Sequence, residues 1–203
     1  MKLICIGRNY LAHIRELNSP TPDSPVFFLK PDTALLIRNR PFYYPSFSTN
    51  IHYEIELVLK ICKTGKNIQE KFAGSYYNEI GIGLDLTARD MQDQAKQKGL
   101  PWALSKGFDQ SAPLGAFLPK TIFQDENNIA FHLDINGNTV QKGNSGNMIH
   151  SFHNIIYHIS RFMTLRTGDL IFTGTPEGVG PINPGDKMEG YIGDQKLLHC
   201  LVR

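Results

Sequence analysis

The chain lacks any cysteine framework. Cys5, Cys62 and Cys200 are isolated and odd in number, which argues against stabilisation by disulfides and fits a reducing compartment. Long hydrophobic runs are missing too. The N-terminal MKLICIGRNY carries a lysine but no signal-length apolar core and no small-residue cleavage site, and no stretch is long enough to span a bilayer. A cytoplasmic protein that does not engage membranes is the expectation. Charge of one sign is not in excess. Lys and Arg number 21 against 19 Asp and Glu, a formal net charge of +2, and no basic run or stripe supports a nucleic-acid partner or a nuclease. Zinc-finger spacing, a sustained heptad, an internal repeat, a low-complexity tract and a long linker are all absent.

What is present suffices for one core. The 203 residues are 41% hydrophobic and 20% charged, ordinary for a globular protein and most simply a single domain over 1–203. Strand patterns dominate: Lys2–Ile6, Val26–Leu29, Ile51–Cys62, Glu79–Leu84, Ile129–Ile135, Leu170–Thr173, Lys187–Ile192 and Lys196–Val202. Asn136-Gly137 is a type I′ hairpin signal, and Gly193-Asp194 is a second turn. Lys30-Pro31-Asp32 reads as a turn, and Leu17–Pro25, with three prolines, as a stiff loop. Helical patterns are short. Asn9–Leu17 allows one or two turns. Ala88–Lys98 has capping-box spacing from Thr87 to Asp90 and is bounded by Gly99. Ser151 caps a helix whose apolar face is Ile155, Ile156, Ile159, Phe162 and Met163. With no regular βαβ rhythm, the expected class is a β-rich α+β fold with a mixed or antiparallel sheet.

The chemistry concentrates in acids. In HYEIEL, period two puts Glu54 and Glu56 on one face of a strand whose other face is Tyr53, Ile55, Leu57 and Leu59. Asp85 ends the next apolar strand, just before a helix start. Three carboxylates beside a core need a cation or donors, and Mg²⁺ or Mn²⁺ takes such oxygen ligands. The alternative is a solvated charged face, with Asp85 capping a turn. Lys106, in PWALSKGFD, offers positive charge for an enolate or oxyanion, or else lies on the surface. Arg89 and Gln92, one helical turn apart, point back to the acids or form an exposed pair. His13 and Glu16 make a possible dyad in which the carboxylate orients the imidazole as a proton acceptor, beside a segment with lid character. A surface pair is the plainer reading. The loop FTGTPEGVG brings Gly174 and Thr175 and is suited to hold a carboxylate in a nest. It is neither a Walker A loop nor a GxGxxG loop, and a plain connecting turn is its alternative. The remaining histidines, His150 and His153 included, are read as structural.

In order, GRNYLAH with Glu16, PVFFLKP, HYEIEL, GLDLTARDMQ, GLPWALSKGFD, GNTVQKGN and LRTGDLIFTGTPEGVG resemble the fumarylacetoacetate hydrolase superfamily. The likeness is to its short acylpyruvate hydrolase and oxaloacetate decarboxylase branch, without the separate N-terminal domain of fumarylacetoacetase. Ser145 stands where many relatives have threonine. The resemblance implies a layered β-roll with short peripheral helices, a homodimer, and a small 2-oxo acid substrate. It implies Mg²⁺, with Mn²⁺ or Ca²⁺ admissible, on Glu54, Glu56 and Asp85. It also implies a lid dyad of His13 and Glu16, Lys106 beside the metal, and Gln92 and Thr175 against substrate. Arg8, Arg89 and Gly174 fall within the same motifs. The expected reaction is hydrolysis of the C–C bond of an acylpyruvate-like 2,4-dioxo acid to pyruvate and a carboxylic acid. Oxaloacetate decarboxylation and isomerisation of a 2-hydroxy-dienoate or related enol share the same site chemistry. A non-catalytic metal-binding dimer module is the reading from a different class.

Overall fold

The computed structural model describes residues 1–17 and 20–203. The expected loop over 17–25 includes 18 and 19, which lie outside the described residues. The chain runs β1 (Leu3–Ile6), α1 (Leu11–Glu16), β2 (Phe27–Lys30), β3 (Leu35–Leu36), β4 (Ile51–Tyr53), β5 (Ile55–Ile61), β6 (Tyr77–Leu84), β7 (Thr87–Ala88), α2 (Arg89–Lys98), α3 (Ala103–Lys106), β8 (Ala112–Pro119), β9 (Ala130–Ile135), β10 (Asn138–Asn144), α4 (Phe152–Phe162), β11 (Leu170–Phe172), β12 (Gly180–Pro181), β13 (Lys187–Ile192) and β14 (Gln195–Leu201).

A seven-stranded sheet in the order β2-β1-β11-β5-β6-β8-β3 is the frame. It is mixed: β1 runs parallel to β11 and β3 to β8, and the other pairs are antiparallel. An antiparallel sheet, β10-β9-β13-β14, packs on one face, and a small sheet, β12-β4-β7, stands at one end. The packing is close: a Cβ on Gly190 of β13 would lie 3.2 Å from Ile55 Cδ1 of β5. This is the β-rich α+β class that the strand patterns imply, and the layered roll with peripheral helices that the resemblance implies. Among the described residues no helix is long and apolar enough to cross a membrane.

The central strand β5 explains the site. Ile55, Leu57, Leu59 and Ile61 enter the main core together with Ile82, Leu84, Leu133, Met188 and Leu198. The opposite face is also dry, because Val58 packs with Leu3, Cys5, Leu170 and Phe172. Glu54 and Glu56 share the parity of Val58, so they are buried rather than solvated.

Four local expectations are revised. The segment expected as one strand over Ile51–Cys62 breaks at Glu54, so that β4 joins the small sheet and β5 the large one. The break is bonded: Ile55 N donates to Gln141 Oε1 at 2.9 Å, and Glu54 O accepts from Asp85 N at 2.9 Å. The capping box does not form, because Thr87 Oγ1 bonds Asp85 O and Lys106 Nζ, while Asp90 accepts from Ser48, Thr49 and Met91. The apolar stripe of α4 stops short: Ser151 Oγ accepts from Asn154 N as expected, but Phe162 is exposed and Met163 leaves the helix as its extended C-cap. Lys30 is not a turn residue. It ends β2 with a buried side chain.

Candidate active site

The split between β4 and β5, the end of β6 and the end of β1 meet at one place. Oxygen atoms of Glu54, Glu56 and Asp85 all lie within 4.8 Å of one another, and each residue is at most 5% exposed. Three hard anionic donors in so small a volume are the donor chemistry of a divalent cation. The polar surroundings agree. Asp85 Oδ1 is buried, and its partner is the Lys30 ammonium 2.7 Å away rather than a neutral donor. Glu56 Oε2 accepts from Gly174 N at 2.7 Å. Burial, then the Asp85 carboxylate, pushes the Glu56 carboxyl well above the ordinary range, as expected for an acid grouped with others. The cluster is a divalent-metal-binding site.

Glu54 is held differently. Burial alone would raise its pKa, but the Lys106 ammonium and the Arg89 guanidinium outweigh burial and hold it far below the usual range. Its Oε2 accepts from Lys106 Nζ at 2.8 Å and its Oε1 from Arg89 Nη2 at 2.5 Å. Lys106 Nζ also donates to Asp85 Oδ2 and Thr87 Oγ1, both at 2.7 Å. Burial works against its charge, yet Asp85 and Glu54 raise its pKa further. Arg89 and Gln92 do face the acids from α2, with Arg89 Nη1 donating to Gln92 Oε1 at 2.5 Å.

The dyad forms, and His13 lines the same cleft as Glu54. His13, buried on α1, has Nδ1 3.0 Å from Glu16 Oε2. Glu16 Oε1 accepts from Gly178 N at 3.0 Å, tying α1 to the glycine-rich loop. A cleft lined by Arg8, His13, Glu54, Arg89, Gln92 and Lys106 lies between. Thr175 is buried, its hydroxyl accepting from Gln141 Nε2 at 3.0 Å. Gly174 serves through its backbone, its N–H committed to Glu56.

Several supporting residues escape the sequence reading. Lys30 Nζ lies 2.7 Å from Asp85 Oδ1, but its hydrogen bonds go to Leu86 O, Ser111 O and Ser111 Oγ, so the Asp85 contact is ionic. Ser111 Oγ donates in turn to Lys106 O at 2.8 Å. Asn9 joins the glycine loop to the α4 entry, its Nδ2 donating to Thr173 O and His150 O. Gln141 links Ile55 to Thr175. Lys30, Asn9 and Gln141 stand inside the family-like motifs, and only that likeness marks them in the sequence.

The comparisons with known proteins agree with this geometry. A sequence model described as fumarylacetoacetate (FAA) hydrolase, C-terminal, matches residues 2–202. The chain is 43% identical over 190 residues to the oxaloacetate tautomerase FAHD1, mitochondrial, of Bos taurus, covering 94% of this chain and 86% of that one. It is 44% identical over 185 residues to the oxaloacetate decarboxylase, mitochondrial, of Dictyostelium discoideum, covering 91% and 85%. The fumarylpyruvate hydrolase of Pseudomonas aeruginosa, solved in complex with Mn²⁺ and pyruvate, superposes with a TM-score of 0.92 at 38% identity, covering 100% and 89%. The expectation of a cytoplasmic location is overturned by these relatives: the bovine protein, like its mouse and human counterparts, is named mitochondrial. That expectation rested on isolated cysteines and missing apolar segments, neither of which specifies a compartment.

Proposed function

Because the chain belongs to the fumarylacetoacetate hydrolase family, and is thereby a metal-dependent enzyme acting on small 2-oxo and dioxo acids, we propose that its reaction is the keto–enol tautomerisation of oxaloacetate. The expected acylpyruvate hydrolysis is set aside, since relatives above 40% identity carry oxaloacetate in their names; tautomerisation extends the expected enol isomerisation to that substrate, beside the expected oxaloacetate decarboxylation. The observation that carries the reading is the His13–Glu16 dyad on the same cleft as Glu54 and Lys106.

Glu54, Glu56 and Asp85 would hold the divalent cation, Mg²⁺ in our reading. When bound, it supplies Lewis-acid polarisation of a 2-oxo group. The chain's own groups do the rest. With its Nδ1 proton directed at Glu16, His13 keeps the Nε2 lone pair free to accept a proton from C3 of the substrate and return one to oxygen. Glu16, fixed by Gly178, holds the ring. Lys106 puts a permanent positive charge beside Glu54 and Asp85, where negative charge on the 2-oxygen would grow. Arg89, Gln92 and Thr175 orient the acid end, and Arg8 stands at the cleft. Homodimerisation belongs to the same proposal and is read by light scattering.

Decarboxylation of oxaloacetate is the second reading, favoured by the Dictyostelium relative. It needs the same stabilised charge but no proton acceptor at C3. The test takes EDTA-stripped protein with and without Mg²⁺ or Mn²⁺ and follows enol absorbance, CO₂ release, and acetate release from acetylpyruvate. Acceleration of keto–enol exchange beyond free metal alone is expected, with a smaller CO₂ signal. Dominant acetate release would return the assignment to the hydrolase, and inactivity on all three with folded, metal-loaded protein would overturn catalysis of this class.

A further inference from the structure

Arg89, Gln92 and Lys96 fall on one stripe of α2, three and then four residues apart, and all three line the cleft. The inner two are largely engaged with Glu54 and with each other. Even so, the buried Arg89 Nε has no acceptor among the described residues. Lys96 stands one turn farther out. Its side chain is 33% exposed, and its nearest acid is Asp93, 4.0 Å away and itself 56% exposed. Arg8, on the segment after β1, enters the same cleft half-buried. Among the described residues, no carboxylate pairs with it. Burial and then Arg89 lower the Lys96 pKa, with Arg8 adding to them, and Asp93 and Glu54 offset this only in part, so these cations lie close together. Of the cleft-lining residues, Glu54 alone is acidic, facing Arg8, Arg89, Lys96 and Lys106. Uncompensated positive charge at a cleft mouth is offset when an anion binds there.

We propose that Arg8 and Lys96 form a subsite for the distal carboxylate of a dicarboxylic 2-oxo acid. The inference deepens the function proposed above and rests on it only in placing the 2-oxo acid end of the ligand at the three acids. A ligand anchored there has its far end directed along the α2 stripe towards Arg8 and Lys96, the latter held only by the long, exposed contact with Asp93. A second carboxylate at that end neutralises them, whereas a methyl or acyl terminus leaves them unpaired. The pair therefore selects the charge at the far end of the ligand, a task distinct from the proton transfer assigned to His13.

Matched probes test this without requiring turnover. Malate and 2-hydroxybutyrate share the acid end and differ at the far end, which is a carboxylate in one and a methyl group in the other. Their affinities are measured by calorimetry on the Mn²⁺-loaded protein, in wild type, Lys96→Met and Arg8→Gln. Wild type is expected to prefer malate by about tenfold or more, as one charge-assisted contact allows. Each substitution should cut that ratio several-fold, Lys96→Arg should restore it, and added salt should shrink it. Unchanged melting and Mn²⁺ affinity in the variants would separate the effect from misfolding. Absence of a preference in wild type, or a preference that survives both substitutions, would overturn the subsite. In parallel, kcat/KM is compared for oxaloacetate and its 4-methyl ester. If the affinity ratio shifts but neither compound turns over, the subsite stands and the proposed reaction falls.

Discussion

At the scale of single residues, charge compensation governs what this site tolerates. Glu56→Gln removes an anionic donor and leaves a group that binds a hard cation poorly. Mn²⁺ affinity should fall at least tenfold, since even outer-shell changes cost about 10–100-fold, and a paramagnetic Mn²⁺ titration reads it. Native Mn²⁺ affinity in that variant would remove Glu56 from the ligand set. Lys30→Met deletes the cation packed against Asp85 and strips hydrogen bonds from Leu86 and Ser111. Breaking a buried pair from one side costs about 3–5 kcal/mol, so the urea midpoint of the metal-free protein should drop sharply. A shift within experimental error would mean that the pair contributes little. The acids were legible in sequence because strand parity puts Glu54 and Glu56 together. The role of Lys30 was not, because a lysine before Pro31 reads as a turn, and the partner that explains it, Asp85, lies far along the chain just past β6.

At the scale of elements, the glycine-rich loop is the most constrained. Gly174 has φ +100°, and a Cβ there would lie 2.7 Å from Asn9 Cβ. Gly174→Ala therefore meets both a strained backbone, of order 1–3 kcal/mol, and a collision with the residue that joins the loop to the α4 entry. The expected result is a lower melting temperature together with weaker Mn²⁺ binding, because the N–H on Glu56 moves. Lower stability with intact metal affinity would separate the loop from the centre. Turn chemistry was the most legible part of the fold: Asn136 (φ 53°) and Gly137 (φ 80°) are both left-handed, as a type I′ hairpin between β9 and β10 demands. The Ser151 cap of α4 was legible, but the start of α2 was not. Thr87 has the right residue type for a capping box, but Lys106 and Asp85 O claim its hydroxyl. The break at Glu54 was also hidden, since the hydrophobic alternation continues through it and only Gln141, from a distant strand, marks the interruption.

At the scale of the molecule, stability and metal binding are linked. A ligand held by the native state alone stabilises it, by about 2.7 kcal/mol at a concentration about 100 times Kd. Adding saturating Mn²⁺ to EDTA-stripped protein should then raise the melting temperature by roughly 5–10 °C. An unchanged melting curve would argue against a site preformed by the fold. The three cysteines give a second whole-molecule readout. Cys5 and Cys200 are buried, and burial pushes the Cys200 thiol up to about 11. Cys62, partly exposed, should be the first alkylated by iodoacetamide in the native state, with the other two reacting only on unfolding. The layered arrangement of the sheets followed from the family resemblance, whereas periodicity alone reached only the class, because strand order depends on contacts between distant segments. That order has a consequence for biosynthesis. The strand β5 lies between β6, its near neighbour in sequence, and β11, which is made far later. A ribosome that has just finished α4 has already released every acid of the centre, yet one edge of β5 is still bare and the β1 edge that pairs with β11 is unmatched. Such open edges are where nascent chains mispair. The segment after α4, which carries β11, thus acts as the clasp that ends this vulnerable interval of synthesis.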